Sequence, residues 1–401
     1  MQAARSPSPP GVVQPEPAAP RRLDAWRERW CAWRDRKLTS PAFQRSAARS
    51  WLLRPIVRRR ARGLFDIVSG FVYSQVLLAC VRVRAFEVLA EGPQTSAVLA
   101  RRFELPLDAT ERLLAAAVSL DLMERRAGGR FGLGPLGAPL VGNQAVTAMV
   151  EHHAVLYDDL RDPLALMRGE GHAPALSRYW SYADAASPGT LARKDVDAYS
   201  ALMSASQPLV AQEVLDAYAL DGHRCLLDVG GGQGRFLVAA GQRTPGLQLM
   251  LFDLPAVVAS ATASFAAYGL GERARVFGGD FTRDPLPAGA DVASLVRVLY
   301  DHPDERVLAI LRAVHQALPP GGTLLVAEPM AGARGARRMG DAYFGMYLLA
   351  MRGGRARTAQ QLSALLRAAG FEAVRELPTP IPLQVGVLVC RRGSRHDVNI
   401  T

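Results

Sequence analysis

The chain has 401 residues, 49% of them hydrophobic, which is enough for two or three domains with sizeable cores and too apolar for a disordered protein. Net charge is +11, and residues 1–65 carry all of it, with 15 Lys/Arg against four acids, so the rest of the chain is neutral. No unbroken apolar run reaches the roughly 18 residues of a membrane span. Cys31, Cys80, Cys225 and Cys390 are too scattered for a disulfide framework or a zinc site, so neither is expected.

Residues 1–20 are rich in Pro, Ala and Ser and read as disordered; they contain no apolar core of a secretory signal, so a cytoplasmic protein is expected. A basic helical arm follows over 21–65. Trp26, Trp30 and Trp33 recur at i, i+4 and i+7 and share one helix face, with Arg27, Arg29, Arg34 and Arg36 largely elsewhere. Leu52, Leu53, Ile56 and Val57 then precede Arg58, Arg59 and Arg60. Such an arm suits peripheral contact with an anionic membrane surface, or docking of its Trp stripe onto the enzyme body or a partner subunit.

Residues 66–145 read as three helices and a hairpin, a winged-helix pattern. The second helix starts at Thr95 or Ser96, the third is capped by Asp108 or Thr110, and the hairpin turns at Ala127-Gly128-Gly129. The third helix carries only Arg112 as a basic residue, which argues against DNA binding and for dimerisation or a substrate wall; no nucleic-acid partner is expected. Residues 146–220 form a helical linker and substrate region.

From 221 to 395 the pattern becomes short apolar strands alternating with helices: 225–229, 248–253, 274–279, 291–297, 323–328, 371–376 and 384–391, with helices after the first five. This is the rhythm of a mostly parallel, doubly wound α/β sheet closed by a terminal hairpin. The strongest chemical signal is Asp228-Val-Gly-Gly-Gly-Gln-Gly234, where a strand turns into a helix. Its glycines let a ligand approach the backbone, and the helix start offers free N–H groups. Asp253 ends the next strand, where a carboxylate accepts ribose hydroxyls, and Gly278-Gly279-Asp280-Phe281 ends the third, where an acid and an aromatic face suit an adenine. A dinucleotide fingerprint wants Gly or Ala where Arg235 stands, so an adenosylmethionine site is the better reading and a nicotinamide oxidoreductase the alternative.

The ordered series DVGGGQG, FDLPAV, GGDF, LPPGG and VAEP resembles the caffeate-type class I O-methyltransferases over about residues 70–395. The stretch from Ser40 to Arg82 and the run RVLYDHPDERV are similar to the demethylspheroidene branch of that family, whose bacterial members serve carotenoid synthesis. The resemblance implies an α-helical winged-helix dimerisation domain, then a Rossmann-like seven-stranded methyltransferase domain. It also implies a homodimer, S-adenosyl-L-methionine as cofactor, no metal, and a lipophilic small-molecule substrate such as a 1-hydroxy carotenoid. The alternatives are a same-fold enzyme for a phenolic, quinone or tetrapyrrole acceptor, and a winged-helix DNA-binding regulator.

The resemblance also implies cofactor contacts at Gly230, Gly232, Asp253, Asp280, Phe281 and Arg297. Relatives carry a catalytic His where this chain has Tyr300, and an acid where it has Ala356, while the acid of VAEP is kept as Glu328. Tyr300 and Glu328 are therefore the catalytic candidates, Tyr300 as an orienting hydrogen-bonding group rather than a base. His302 is a possible base but reads better as a loop histidine. The helix over Met339–Met351 corresponds to a substrate cover in relatives. His153, Met203, Tyr343, Met346 and Tyr347 are the substrate-wall candidates, with His152, Tyr157 and Gln207 as weaker ones.

Overall fold

A computed structural model describes residues 22–171, 173–180, 193–381 and 385–393. The segment expected to be disordered, 1–20, lies outside the described residues. The chain divides into two units, Met1–Gln75 and Val76–Thr401.

The first unit contains helices Arg22–Thr39 and Pro41–Arg49 and the beginning of a long helix, Arg54–Arg82. Ser40 caps the second helix, accepting the N–H of Phe43. The long helix corrects the sequence reading of membrane spans. It holds an 18-residue stretch of mean hydropathy 1.8, long and apolar enough by composition to cross a bilayer. Asp66, Ser69, Gly70, Ser74 and Gln75 interrupt the apolar run without lowering its average much. The end of that helix, however, belongs to a protein core: Leu78, Cys80 and Val81 are buried among Phe86, Leu99, Leu114 and Phe131. The part without cations that precedes this buried end, residues 63–77, is about 22 Å long, short of the roughly 30 Å of hydrocarbon.

The second unit opens with the winged helix. Helices Ala85–Ala90, Ser96–Phe103 and Leu107–Ser119 precede β2 (Met123–Arg126) and β3 (Arg130–Leu133), which turn through Ala127–Gly129. A two-residue β1 (Gln94–Thr95) pairs with β3 and completes the small sheet. Asp108 and Thr110 do not cap the third helix. Pro106 stands at its N-cap with no side-chain hydrogen bond, and the Thr110 hydroxyl donates back to the Pro106 carbonyl. Proline already lacks a donor, so the helix starts earlier than the side-chain signals suggest. Arg112 pairs with Asp108.

The large sheet comprises β4 (Cys225–Val229), β5 (Gln248–Asp253), β6 (Ala274–Gly278), β7 (Val292–Val296), β8 (Thr323–Glu328), β9 (Phe371–Leu377) and β10 (Gly386–Arg392). Their order is β6-β5-β4-β7-β8-β10-β9, and β10 runs antiparallel to both neighbours. Side chains alternate between two apolar layers: Leu227 and Leu295 face one core, Leu226 and Val292 the other. Burial on both faces explains why the central strands read as unbroken apolar runs. One expectation fails here, because no helix follows β6. The chain from Gly279 to Asp291 is a turn and loop, anchored where Asp280 accepts both the N–H and the hydroxyl of Thr282. The winding direction reverses between β4 and β7, so the loops after those two strands face each other across a crevice where α/β sheets bind ligands.

Candidate active site

The loop after β4 lines that crevice. Gly230 sits at φ +72°, and a Cβ there would come within 2.8 Å of Val298, on the loop after β7. Gly232, at φ +60°, would point a Cβ into open space, so glycine there serves the left-handed backbone and leaves room for a ligand. Asp253 closes the loop from β5: its carboxylate accepts the N–H of Gly232 at 2.7 Å and that of Leu254 at 2.7 Å. Burial nevertheless pushes its pKa up to about 6. Asp228 beneath it accepts the Ser294 hydroxyl at 2.6 Å, and burial raises it to about 7.

Gly230, Gly232, Asp253, Asp280, Phe281 and Arg297 all line one cavity, together with Ser204, Arg235, His302 and Arg306. Each carboxylate oxygen of Asp253 has a lone pair left for a ribose hydroxyl. The Phe281 ring meets His302 edge-on, 5.6 Å between centroids. Arg297 has φ +57°, a strained backbone for a residue other than glycine, and donates to the Ser206 hydroxyl and Met203 carbonyl while its buried Nε lacks a partner. The open face at Gly232, the free lone pairs of Asp253, the aromatic edge of Phe281 and this orphaned donor fit a cofactor carrying a ribose, an adenine and a carboxylate. Met203 and Gln207, expected on the substrate wall, line this same cavity.

The residues expected on the substrate wall lie in or beside a separate aromatic cluster. Tyr300 is buried with Trp180, Tyr347, Leu348 and Met351 and meets Phe344 edge-on at 5.8 Å. Burial, then the charge of Asp301, holds its pKa well above the usual phenol range. His152 Nε2 lies 2.8 Å from the Tyr347 hydroxyl, which also accepts from Trp180 Nε1 at 2.8 Å. Indole is only a donor, which leaves the Tyr347 proton free for His152 Nε2 when the imidazole proton sits on Nδ1. Burial lowers His152 to about 4, so the ring is neutral. His153 meets the Tyr343 hydroxyl at 2.8 Å and is likewise lowered by burial. Met346 is half-buried on the same helix, Phe344–Met351, which continues a π-helical turn, Arg338–Tyr343. Such turns concentrate at functional sites.

Glu328 does not reach the Tyr300 hydroxyl. Its carboxylate accepts the backbone N–H groups of Val298, Leu299 and Tyr300 at 3.0, 2.7 and 3.3 Å, and burial pushes it up to about 8. It pins the loop that bears Tyr300. Sequence reasoning missed the opposing pin, Arg357. Fully buried, it pairs with Asp304 and donates to the Leu299 and His302 carbonyls at 2.8 and 2.7 Å. It stands next to Ala356, the site of the missing acid, and nothing in the sequence singles it out among the neighbouring Arg352 and Arg355. His302 sits on the cofactor side; burial, then Arg306 and Arg357, lowers it to about 3, which leaves it a poor base.

Comparison with known proteins agrees with this layout. Residues 65–143 match an O-methyltransferase dimerisation domain and 157–372 an O-methyltransferase domain. The demethylspheroidene O-methyltransferase of Cereibacter sphaeroides is 45% identical over 88% of this chain and 93% of its own length. That of Rhodobacter capsulatus is 41% identical over 85% of each. Human N-acetylserotonin methyltransferase, solved with S-adenosylmethionine, superposes with a TM-score of 0.68 at 26% identity, covering 84% of this chain and 98% of its own. The dimerisation domain supports a homodimer. The chain belongs to the class I, S-adenosylmethionine-dependent O-methyltransferases.

Proposed function

We propose that this enzyme methylates the hydroxyl of an apolar acceptor, a 1-hydroxy carotenoid of the demethylspheroidene type. The observation that carries the reading is Tyr300. A group that stays a neutral phenol stands where a base is needed for a phenolic substrate, within a wall of Trp180, Tyr347, Leu348 and Met351. A phenol loses its proton to an ordinary imidazole, whereas an alcohol does not. The cofactor, held by Gly230, Gly232, Asp253, Asp280 and Phe281, supplies a methyl group already activated on a sulfonium. Tyr300 orients the acceptor oxygen by a hydrogen bond, and the apolar wall excludes water, so alignment supplies most of the rate. The acceptor proton becomes strongly acidic once its oxygen would gain a third covalent bond, to the methyl group, while the thioether leaves, so a weak base suffices. Tyr347 is placed to take it, passing its own proton to neutral His152.

The test is a panel of hydroxylated carotenoids, phenols and quinols with methyl-labelled cofactor. Label in the tertiary ether of the carotenoid is expected; label confined to the phenols would replace this reading with the phenolic one.

A further inference from the structure

The basic arm is not absorbed by catalysis. The dimerisation match begins at residue 65, and the solved acetylserotonin enzyme matches over nearly its whole length while leaving about a sixth of this chain uncovered. Residues 22–62 hold thirteen Lys/Arg and three acids.

Helix Arg22–Thr39 arranges those charges in sectors. At 100° per residue Trp26, Trp30 and Trp33 fall within about 60° of one another. Lys37 falls within that stripe, Arg27 and Arg34 flank it on one side and Arg29 and Arg36 on the other, while Asp24, Glu28 and Asp35 lie opposite. The indoles are uncovered in this unit, Trp26 at 67% and Trp33 at 51% exposure. Arg34 lies over the Trp30 ring at 5.4 Å, its other side turned to the neighbouring Asp35. Farther along, Trp51 is 81% exposed, beside exposed Leu52 and Ile56 and the cations Arg54, Arg58, Arg59 and Arg60.

Indoles between two rows of guanidinium groups, with the acids turned away, suit the boundary of a lipid surface: the rings sit at headgroup level, the cations meet phosphates, and the acids face water. We infer that the arm docks this enzyme on an anionic lipid bilayer, lying in the plane of its surface rather than spanning it. Each basic residue near such a surface contributes roughly fivefold in partitioning. The inference stands apart from the acceptor's identity, since it uses none of the residues that line the acceptor wall.

The test uses the full-length protein and sedimentation with vesicles of phosphatidylcholine alone or of equal parts phosphatidylcholine and phosphatidylglycerol. Binding to the anionic vesicles only, weakened by salt, is expected. Replacing Trp26, Trp30 and Trp33 together by Ser should weaken it by at least about tenfold, and replacing Arg27, Arg34 and Arg36 by Gln by about a hundredfold. Adenosylmethionine binding measured by calorimetry should be unchanged in both variants, which separates loss of docking from loss of folding. Three results would overturn the inference: equal binding to both vesicle types, Trp variants that bind vesicles normally but no longer dimerise, or salt-sensitive binding to duplex DNA without binding to vesicles.

Discussion

Glu328 accepts the backbone N–H of Leu299 at 2.7 Å, and from the opposite side Arg357 donates to the Leu299 carbonyl at 2.8 Å. Both backbone groups of one residue are thus held by buried charged side chains immediately before Tyr300. Glu328→Gln keeps the length but turns an NH2 group toward N–H donors. It should lower kcat by about tenfold to a hundredfold through misplacement of the Tyr300 loop. It should also cost about 1–3 kcal/mol of stability in a thermal melt. A wild-type rate in this variant would mean that the loop needs no such pin.

Arg357→Lys tests the other side. Lysine keeps the charge but cannot serve Asp304 and two carbonyls at once. Stability should fall by about 2 kcal/mol or more, with buried carbonyls left unpaired. The fall in kcat should exceed any change in cofactor affinity, as steady-state kinetics and calorimetry would read.

Tyr300→Phe removes only the hydroxyl. A loss of about tenfold to a hundredfold in kcat is expected, at the low end of what removing a general base costs. Because burial holds the Tyr300 pKa above the usual phenol range and His152 at about 4, neither should titrate in the wild-type rate between pH 6 and 9, and a change at saturating cofactor within that window should follow Glu328, which burial raises to about 8. Complete loss with intact cofactor binding would assign proton chemistry to Tyr300.

Asp253 carries a pH dependence of cofactor binding. Its pKa is raised to about 6, so it is ionised above that value and neutral below it. A carboxylate accepts ribose hydroxyls better than a carboxylic acid, so cofactor affinity should weaken as pH falls through about 6. Asp253→Asn should weaken binding by about tenfold to a hundredfold and flatten that dependence. Calorimetric titration at several pH values reads both effects.

The cofactor half of the site was legible in the sequence because it is local. A strand, a glycine turn and an acid at the next strand end each leave a mark within about 25 residues, and the sheet's alternating burial fixes where they meet. The acceptor half was less legible because it is assembled from afar. Trp180 and Tyr347 lie 167 residues apart, and His152 and Tyr347 lie 195 apart, and no periodicity announces such pairs. Met203 borders both halves, packing against the aromatic cluster and lining the cofactor cavity, which its position in the sequence does not reveal. The role of Glu328 was also read too simply: its position was plain, but only the structure shows its oxygens spent on backbone donors. The cap of Leu107–Ser119 failed for a local reason, since Pro106 outranks Asp108 and Thr110 at the helix start.

The central claim is that this enzyme aligns a weakly acidic alcohol rather than deprotonating a phenol. The direct measurement compares kcat/KM for a 1-hydroxy carotenoid and for a phenol such as acetylserotonin, with methyl-labelled cofactor and acceptors dispersed in the same vesicles. The account expects label in the carotenoid ether and little in the phenol, with Tyr300→His raising the phenol's share. Preferential labelling of the phenol by the wild-type enzyme would contradict it.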